Sequence, residues 1–340
     1  MLAASFRLKK PDNQPPCDTH EREIPSMTLL YTSPCFLNHE TGNHPERADR
    51  IRLIPGRLES SGLTAQCRQP EFKPVSRQRL ARVHSPSYIE EIWAFAKSGG
   101  GHADPDTIVS PASYDIALMA VGSACNAVER ILRGEDTQGL CLVRPPGHHA
   151  MVNHAMGFCL FNNIAVAARL AVDILELDRV LIVDWDIHHG NGTQASFWEE
   201  PRVGFLSIHS SPFFPGTGDA DETGGGRGLG TTLNLPIEFG TPRERFLEIF
   251  QNNLEQFAAK IKPQLVLLTA GFDAHRLDPV GNLTLETEDF VPLTSLVLDV
   301  ADTYADGRFV SVLEGGYDPE IMADCVEVHL AEMLKRRKKP

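Results

Sequence analysis

The stretch "RVLIVDWDIHHGNGT", residues 179 to 193, joins an apolar run to a cluster of aspartate and histidine side chains. A short run of branched aliphatic residues that ends in glycine-containing polar sequence is typical of a buried strand in a parallel sheet. In open parallel sheets, ligands bind beyond the carboxyl ends of the strands. The aspartates and histidines therefore stand where such a fold places its functional site.

Further runs repeat this pattern, at 139–144, 203–209, 264–273 and 308–316. Amphipathic segments separate the runs, and this alternation predicts βα units on a parallel sheet. One predicted helix stops at Gly134, and another begins with Thr241 as its N-cap and Pro242 in its first turn. Because no internal repeat or low-complexity linker occurs, we expect a flexible leader over residues 1–26 and one α/β domain over residues 27–340.

Composition restricts the class of function. The 340-residue chain has 42% hydrophobic and 23% charged residues, as expected for a soluble globular protein. Its net charge of -13 argues against direct binding of nucleic acid and is compatible with a cationic ligand or a basic protein segment. No run approaches the roughly 18 apolar residues of a membrane span. Seven scattered cysteines without a C-x-x-C pair indicate reduced thiols, so we expect a cytoplasmic protein that does not bind membranes.

Asp186 and His188 stand two positions apart at the end of the predicted strand, where strand geometry turns both side chains to the same side. Asp273, which ends the run in "TAGFD", is the natural third metal ligand. This set leaves coordination positions for water and substrate, as a catalytic zinc site requires. We expect Zn²⁺, and the same oxygen-rich donors also suit Fe²⁺, Mn²⁺ or Co²⁺. The alternative is that the aspartates cap helices and the histidine lies on the surface.

Other predicted strand ends carry groups that can move protons or stabilise charge. The stiff segment "RPPGHHA" presents His148 and His149 side by side, so that one of them could accept a proton from water at the metal. Asp184 is placed to orient a histidine ring through a ring nitrogen. Tyr317 follows two glycines in "LEGGYD", and its hydroxyl could reach a developing oxyanion. The alternatives are that His148 and His149 are exposed loop residues, that Asp184 is a buried helix cap and that Tyr317 is a core residue.

Six motifs occur in order between residues 144 and 318: "RPPGHHA", "GFCLFNN", "DWDIHHGNGTQ", "FFPGTG", "AGFDAH" and "LEGGYD". Together they resemble the zinc-dependent histone deacetylase superfamily, closest to its class II branch and to bacterial relatives that include acetylpolyamine amidohydrolases. The resemblance extends from about Thr28 to the last predicted helix. The resemblance implies an arginase-like α/β domain with an eight-stranded, mostly parallel sheet flanked by helices. It also implies hydrolysis of an N-acetyl amide on a primary amine, with residues 27–340 as a deacetylase catalytic domain.

The resemblance also implies roles for individual residues. Those that resemble the catalytic centre are the zinc ligands Asp186, His188 and Asp273, the tandem histidines His148 and His149, the His148 partner Asp184 and the oxyanion donor Tyr317. Those that resemble the substrate tunnel are Gly157, Phe158 and Phe214 on its walls and Asp106 at its rim. Those that resemble the family's inner potassium site, mostly through backbone oxygens, are Asp184, Asp186, His188, Ser207 and Ile208. Arg47 resembles the arginine near the acetate exit.

Two positions depart from parts of the family. Asn191 stands where class I members carry an aspartate as partner of the second histidine. Asparagine is the residue that class II members have at this position. Val280 stands at the tunnel rim where the polyamine-selective eukaryotic branch carries a glutamate, which weakens a polyamine interpretation. The unequal partners also divide the histidines, because anionic Asp184 should keep His148 charged whereas Asn191 should leave His149 neutral and able to act as a base.

We therefore predict a metal-dependent amidohydrolase that removes acetyl or similar acyl groups from acylated primary amines, above all from acetyl-lysine side chains of a protein or peptide. Acetylpolyamine is the alternative substrate, for which Asp106 or Asp278 could supply a rim carboxylate. A ureohydrolase would need a second Asp-x-His strand end for another metal, which the sequence lacks. A catalytically inactive acyl-lysine binding protein would have lost a ligand or the tyrosine, and neither is lost. The sequence does not set the oligomeric state, and a homo-oligomer is compatible with it.

Overall fold

Strand β6 (Val180–Asp184) is the apolar part of the quoted stretch and lies inside an eight-stranded sheet. The computed structural model describes residues 28–281 and 283–336, so the leader expected over residues 1–26 lies outside the described residues. From one edge to the other the strands are β2 (Cys67–Arg68), β1 (Thr28–Tyr31), β5 (Gln138–Cys141), β10 (Phe309–Leu313), β9 (Leu265–Ala270), β6, β7 (Val203–Ser210) and β8 (Thr232–Ile237). Every neighbouring pair is parallel, which confirms the predicted α/β fold.

Helices connect and flank these strands. The α-helices are α1 (Asp49–Arg52), α2 (Ile54–Ser60), α3 (Arg77–Leu80), α4 (Pro86–Lys97), α5 (Ser113–Leu132), α6 (Asn163–Asp173), α7 (Asn191–Phe197), α8 (Arg243–Ile261), α9 (Phe290–Tyr304) and α10 (Pro319–Arg336). Short 3-10 helices span Pro34–Asn38, Thr64–Gln66, Gly226–Gly228 and Thr287–Asp289. A separate antiparallel hairpin pairs β3 (Gly101–His102) with β4 (Ile108–Val109).

Two observations bear on the expected surroundings of the protein. Within the described ranges, no helix is both long and apolar enough to cross a membrane. The cysteines of those same ranges form no disulfide bond with one another, as expected for reduced thiols.

The central strands of the sheet are buried on both faces. All residues of β6 and of β9 are buried, and successive side chains of a strand point to opposite faces. Helices must therefore cover both sides of the sheet, which explains why the strand sequences are continuously apolar. This arrangement leaves the strand ends as the place where polar side chains can meet.

The predicted helix limits are correct at one helix and wrong at another. Helix α5 ends at Leu132, and Gly134 follows with a φ of 75°, the left-handed conformation that favours glycine after a helix. Helix α8 does not use Thr241 as its cap, because the N-cap residue is Pro242. The Thr241 hydroxyl instead donates to the carbonyl of Glu238 at 2.8 Å. The Thr241 hydroxyl thus stabilises the turn before α8 and does not cap the helix.

A buried carboxylate ties the loop around α1 to the segment that follows β5. Glu46 is 1% exposed and accepts hydrogen bonds from Arg144 and Arg50, both fully buried. Arg144 Nη2 donates to Oε2 at 2.7 Å, and Arg50 Nη1 donates to Oε1 at 3.0 Å. Burial opposes the charge on Glu46, but Arg144 and His39 outweigh it and hold the pKa of the carboxyl well below its usual range. One negative charge therefore serves two buried cations.

Replacing Glu46 with alanine should lower the free energy of unfolding by about 3–5 kcal/mol, because it leaves two buried guanidinium groups without their shared carboxylate. Urea unfolding followed by circular dichroism measures this change. Glu59 is exposed on α2, and Glu59→Ala should alter the free energy of unfolding by no more than about 0.5 kcal/mol. Equal losses in the two variants would show that Glu46 does not anchor the loop.

Candidate active site

Polar side chains from several strand ends meet at one edge of the sheet. Asp184 is the last residue of β6, Asp273 follows β9, and Tyr317 follows β10. The segment that carries His148 and His149 follows β5. Because β5, β10, β9 and β6 are successive neighbours in a parallel sheet, their carboxyl ends lie together. The topology thus places the predicted metal ligands and proton carriers in one region.

The predicted metal ligands form a compact group. Asp186, His188 and Asp273 each offer one ligand atom, and these atoms all lie within 4.8 Å of one another. His188 Nδ1 is 3.0 Å from Asp186 Oδ1 and 3.1 Å from Asp273 Oδ2. Backbone N–H groups orient the carboxylates, since Ile187 donates to Asp273 Oδ1 and Gly315 donates to Asp186 Oδ2. The buried donor atoms are therefore held facing one another.

Three features of this group fit a divalent cation. Burial and the neighbouring Asp186 raise the pKa of the Asp273 carboxyl to about 7, so a positive charge between the two carboxylates is needed to keep both fully ionised at neutral pH. Gly315 and Gly271 leave room beside the carboxylates, because a Cβ at either position would collide with Asp186. Two carboxylates and one imidazole are donors that zinc accepts. The residues present therefore fit a bound metal ion.

The tandem histidines have unequal partners. His148 Nδ1 lies 3.1 Å from Asp184 Oδ2, and His149 Nδ1 lies 2.7 Å from Asn191 Oδ1. Burial opposes charge on His148, but Asp186 and Asp184 outweigh it and raise the pKa of the ring to about 10. Burial and the positive charge of His148 hold the pKa of His149 well below its usual range. The two rings, with centroids 4.0 Å apart, therefore differ in their affinity for a proton, which is higher at His148 than at His149.

Sequence reasoning misses Glu314, which holds the histidine segment in place. Its Oε2 accepts hydrogen bonds from the backbone N–H groups of Gly147 at 2.6 Å and His148 at 3.1 Å. The side chain is 1% exposed, and burial raises the pKa of its carboxyl to about 7. An acidic residue at a strand end, directly before two glycines, was the available signal. Glu314 connects the segment after β10 to the segment after β5.

Tyr317 is buried at 6% exposure between an aromatic ring and a guanidinium group. Its ring centroid lies 5.6 Å from that of Phe158 and 4.7 Å from the guanidinium carbon of Arg50. Arg50 Nε also donates to the carbonyl of Gly316. Arg47, by contrast, has a side chain 39% exposed at the surface. In the structure it is thus Arg50, and not Arg47, that lies against the Tyr317 ring.

A cavity of about 190 Å³ is bordered by His149, His188 and Tyr317. Its lining is Asp106, His149, Gly157, Phe158, His188, Phe213, Phe214, Val280 and Tyr317. All the residues predicted for the substrate tunnel belong to this lining. Phe213 is the member that sequence reasoning misses, and its ring stacks on His188 with centroids 5.0 Å apart. Gly157 has no room for a side chain, because a Cβ there would collide with the His149 ring.

Asp106 and Asp278, the two carboxylates expected at the cavity rim, differ in whether they can contact a substrate. Asp106 lines the cavity. Asp278 is 4% exposed, and both of its carboxylate oxygens accept hydrogen bonds from backbone N–H groups. The expectation that Asp278 could serve as a free rim acid is therefore wrong, because its charge is directed into the protein.

The residues that resemble a potassium site lie at adjoining strand ends. Asp184 is opposite Ser207 in the register of β6 and β7, and Ile208 follows on β7. Ser207 Oγ lies 2.9 Å from His209 Nδ1, so this hydroxyl has a protein partner. Asp186 and His188 continue the chain beyond β6. The structure thus brings the five residues to two neighbouring segments.

Comparison with known proteins agrees with this arrangement. A histone deacetylase-like amidohydrolase from Pseudomonas aeruginosa is 38% identical over 283 residues, which cover 83% of this chain and 74% of that protein. Histone deacetylase 14, chloroplastic, from Arabidopsis thaliana is 34% identical over 322 residues, which cover 90% of this chain and 76% of that protein. The crystal structure of the HDA15 HD domain aligns with a TM-score of 0.85 and 32% identity, covering 92% of this chain and 90% of that one. Residues 44–333 match the histone deacetylase domain, and the chain therefore belongs to this family of deacetylases and amidohydrolases.

Proposed function

We propose that this chain is a zinc-dependent deacetylase that hydrolyses the acetyl amide of acetyl-lysine side chains in a protein or peptide. One observation carries the proposal: the buried group of Asp186, His188 and Asp273 lies beside an aromatic-lined cavity that also contains His149 and Tyr317. A small cavity with aromatic walls suits an unbranched alkyl chain that ends in an amide, which is the shape of an acylated lysine side chain.

Asp186, His188 and Asp273 would hold the metal ion, and Fe²⁺, Mn²⁺ or Co²⁺ would suit the same donors as Zn²⁺. When bound, the ion supplies a Lewis acid that polarises the amide carbonyl and lowers the pKa of water. We also propose K⁺ as a structural ion held mostly by backbone oxygens of the set Asp184, Asp186, His188, Ser207 and Ile208.

The chain's own side chains position the substrate and move the proton. Phe158 and Phe214 hold the alkyl chain and exclude water from it. His149, oriented by Asn191, accepts a proton from the attacking water at Nε2 and later returns it to the leaving amine. The Tyr317 hydroxyl donates a hydrogen bond to the substrate oxygen that gains negative charge.

His148 has a different task in this proposal. Its Nδ1 contact with Asp184 at 3.1 Å keeps the ring protonated, so it is a poor base. Its positive charge, one ring away from His149, stabilises negative charge that develops on the substrate. The two histidines therefore act as one electrostatic partner and one proton carrier.

The cavity favours acetyl-lysine over acetylpolyamine. Val280 lines the cavity, and Asp278 is bound to backbone N–H groups, so neither offers a carboxylate to a secondary ammonium group. Asp106 is the observation that favours an acetylpolyamine amidohydrolase, because it lines the same cavity. An inactive acyl-lysine binder has no such support, since the ligand group, both histidines and the tyrosine are all in place.

We propose the cytoplasm as the location, from the absence of disulfide bonds among the described cysteines. The relatives do not share this compartment in every case, because the Arabidopsis protein is named as chloroplastic. The proposed partner is an acylated protein or peptide rather than a nucleic acid, in keeping with the net charge of -13. A homo-oligomer is compatible with this function.

Asp186→Ala, His188→Ala and Asp273→Ala should each abolish turnover and lower bound zinc well below one ion per chain, because each removes one of the three ligands. Elemental analysis of the purified proteins, together with turnover of an acetyl-lysine peptide, measures both effects. Asp178 is exposed between α6 and β6, and Asp178→Ala should retain both zinc and activity. Full metal occupancy in the three ligand variants would contradict the assignment.

A panel of acetyl-lysine peptides, longer acyl-lysines and N8-acetylspermidine tests the substrate. Acetyl-lysine peptides should have the highest kcat/KM, and Val280→Glu should shift the preference toward the polyamine by up to about fivefold, since an exposed ion pair contributes up to about 1 kcal/mol. Leu229→Glu adds the same charge to a side chain that is 70% exposed, and should leave the ratio unchanged. A wild-type preference for N8-acetylspermidine would instead establish the polyamine alternative.

Asn191→Asp should raise the pKa of His149, because it places a carboxylate where an amide oxygen now lies 2.7 Å from Nδ1. The free enzyme then needs a higher pH to deprotonate its base, so the acidic limb of the kcat/KM profile should move to higher pH. Asn252→Asp adds the same charge at an exposed position on α8 and should leave the profile in place. An unmoved limb in an Asn191→Asp protein with normal metal content would argue against His149 as the base.

A further inference from the structure

Asp278 joins two segments that border the active site. It lies after β9, between the candidate metal ligand Asp273 and the cavity residue Val280. Its Oδ1 accepts hydrogen bonds from the backbone N–H groups of Val280 and Gly281, each at 2.9 Å. Its Oδ2 accepts a hydrogen bond from the backbone N–H of Tyr317 at 2.6 Å. Each oxygen therefore serves a different segment.

The segment that carries Tyr317 has a permissive backbone. Gly315 and Gly316 directly precede the tyrosine, and Gly316 has a φ of 116°, which residues with a side chain rarely adopt. Because glycine restricts its own dihedral angles least, the local sequence does not fix the direction of the tyrosine side chain. Contacts from other parts of the chain must do so.

Two buried charges hold the peptide group between Gly316 and Tyr317 from opposite ends. Arg50 Nε donates to the carbonyl oxygen of that group, and Asp278 Oδ2 accepts from its N–H. A peptide group is planar, so contacts at both ends fix its orientation. That orientation sets where the Tyr317 side chain begins, while the Phe158 ring packs beside its aromatic ring.

We propose that Asp278 is a positioning residue that acts with Arg50 to fix the Gly316–Tyr317 peptide group and thereby aims the Tyr317 hydroxyl at the reacting oxygen. This inference rests on the proposed function, in which Tyr317 is the oxyanion donor. The hydroxyl lies at the far end of a long side chain, so a small rotation of the peptide displaces it by a larger distance. A misplacement of about 1 Å can cost about 10²-fold in rate.

Asp278→Asn distinguishes the hydrogen bonds to the Val280 segment from the hydrogen bond to Tyr317. The amide oxygen of asparagine can still accept from Val280 and Gly281, so the cavity segment keeps its hydrogen bonds. The amide nitrogen would then face the N–H of Tyr317, which sets a donor against a donor. The substitution thus removes the contact with the tyrosine segment while retaining the size of the side chain.

The test compares Asp278→Asn in the wild type and in a Tyr317→Phe background. Asp278→Asn alone should lower kcat by up to about 10²-fold, with KM changed by no more than about twofold and metal content unchanged. Tyr317→Phe alone should lower kcat by about 10²–10³-fold. In the double variant the added cost of Asp278→Asn should vanish, because no hydroxyl remains to be aimed.

A purely structural role predicts a different pattern, with the same loss of kcat in both backgrounds. Asp289→Asn is the matched control, since Asp289 is 3% exposed and binds Arg243 and the backbone N–H of Glu286. Any cost of that variant should be equal with and without the tyrosine hydroxyl. Additive losses for Asp278→Asn would overturn the positioning role, and wild-type turnover by Tyr317→Phe would overturn the oxyanion role of Tyr317 on which it rests. The proposed function itself would be overturned if the wild type did not hydrolyse acetyl-lysine peptides.

Hydrogen–deuterium exchange provides a readout that does not depend on turnover. The Tyr317 amide should exchange faster in metal-free Asp278→Asn than in the metal-free wild type, because it has lost its acceptor. Equal exchange rates would overturn the inference. If the asparagine variant does not fold, Asp278→Ser supplies the same comparison in the two tyrosine backgrounds, since its hydroxyl is too short to reach both segments. Failure of both variants to fold would assign Asp278 to stability and overturn the positioning role.

Discussion

Two buried carboxylates that face each other, Asp186 and Asp273, impose the main constraint at the strand ends. Burial, and after it the like charge of Asp186, raises the pKa of Asp273. Backbone N–H groups of Ile187 and Gly315 nevertheless keep both carboxylates in place. A divalent cation between the two carboxylates would favour the ionised form of Asp273, and this would couple metal binding to the stability of the site.

Other buried carboxylates act on the segments around this group rather than on a substrate. Glu46 binds two arginines, Glu314 binds the N–H groups before and at His148, and Asp278 binds the N–H of Tyr317. A neighbouring arginine and a neighbouring histidine hold the pKa of Glu46 low despite its burial, whereas burial raises the pKa of the Glu314 and Asp278 carboxyls despite their hydrogen bonds to backbone N–H groups. The segments that carry the candidate catalytic residues are therefore held by buried carboxyl groups that do not themselves belong to the proposed catalytic set.

The sequence predicts those parts of the site that depend on local pattern. Strands buried on both faces have continuously apolar sequences, so the runs that lead to Asp184 and Asp273 are recognisable, and parallel pairing then requires their ends to meet. The Asp-x-His spacing similarly identifies Asp186 and His188. The partners expected for the tandem histidines are those that the family resemblance implies, and the observed contact of His149 with Asn191 has the expected members.

What the sequence does not predict depends on contacts between distant segments. Arg47 and Arg50 lie in one short stretch and look equivalent, and only the orientation of α1 buries Arg50 behind Tyr317 while Arg47 stays at the surface. Phe213 and Glu314 lie within the motifs "FFPGTG" and "LEGGYD", but these motifs do not indicate what the two side chains contact, because their partners lie on other segments. Side chains that support a site from behind are for this reason harder to identify than those that form it.

Two positions in the cavity wall differ in how far the site constrains them. Position 157 cannot carry a side chain without displacing the His149 ring, so its identity is coupled to the proton carrier. Val280 is different, because Asp278 holds its backbone N–H and leaves its side chain free at the cavity. In the proposed function, a substitution at position 280 would therefore change selectivity while His149 and Tyr317 keep their positions.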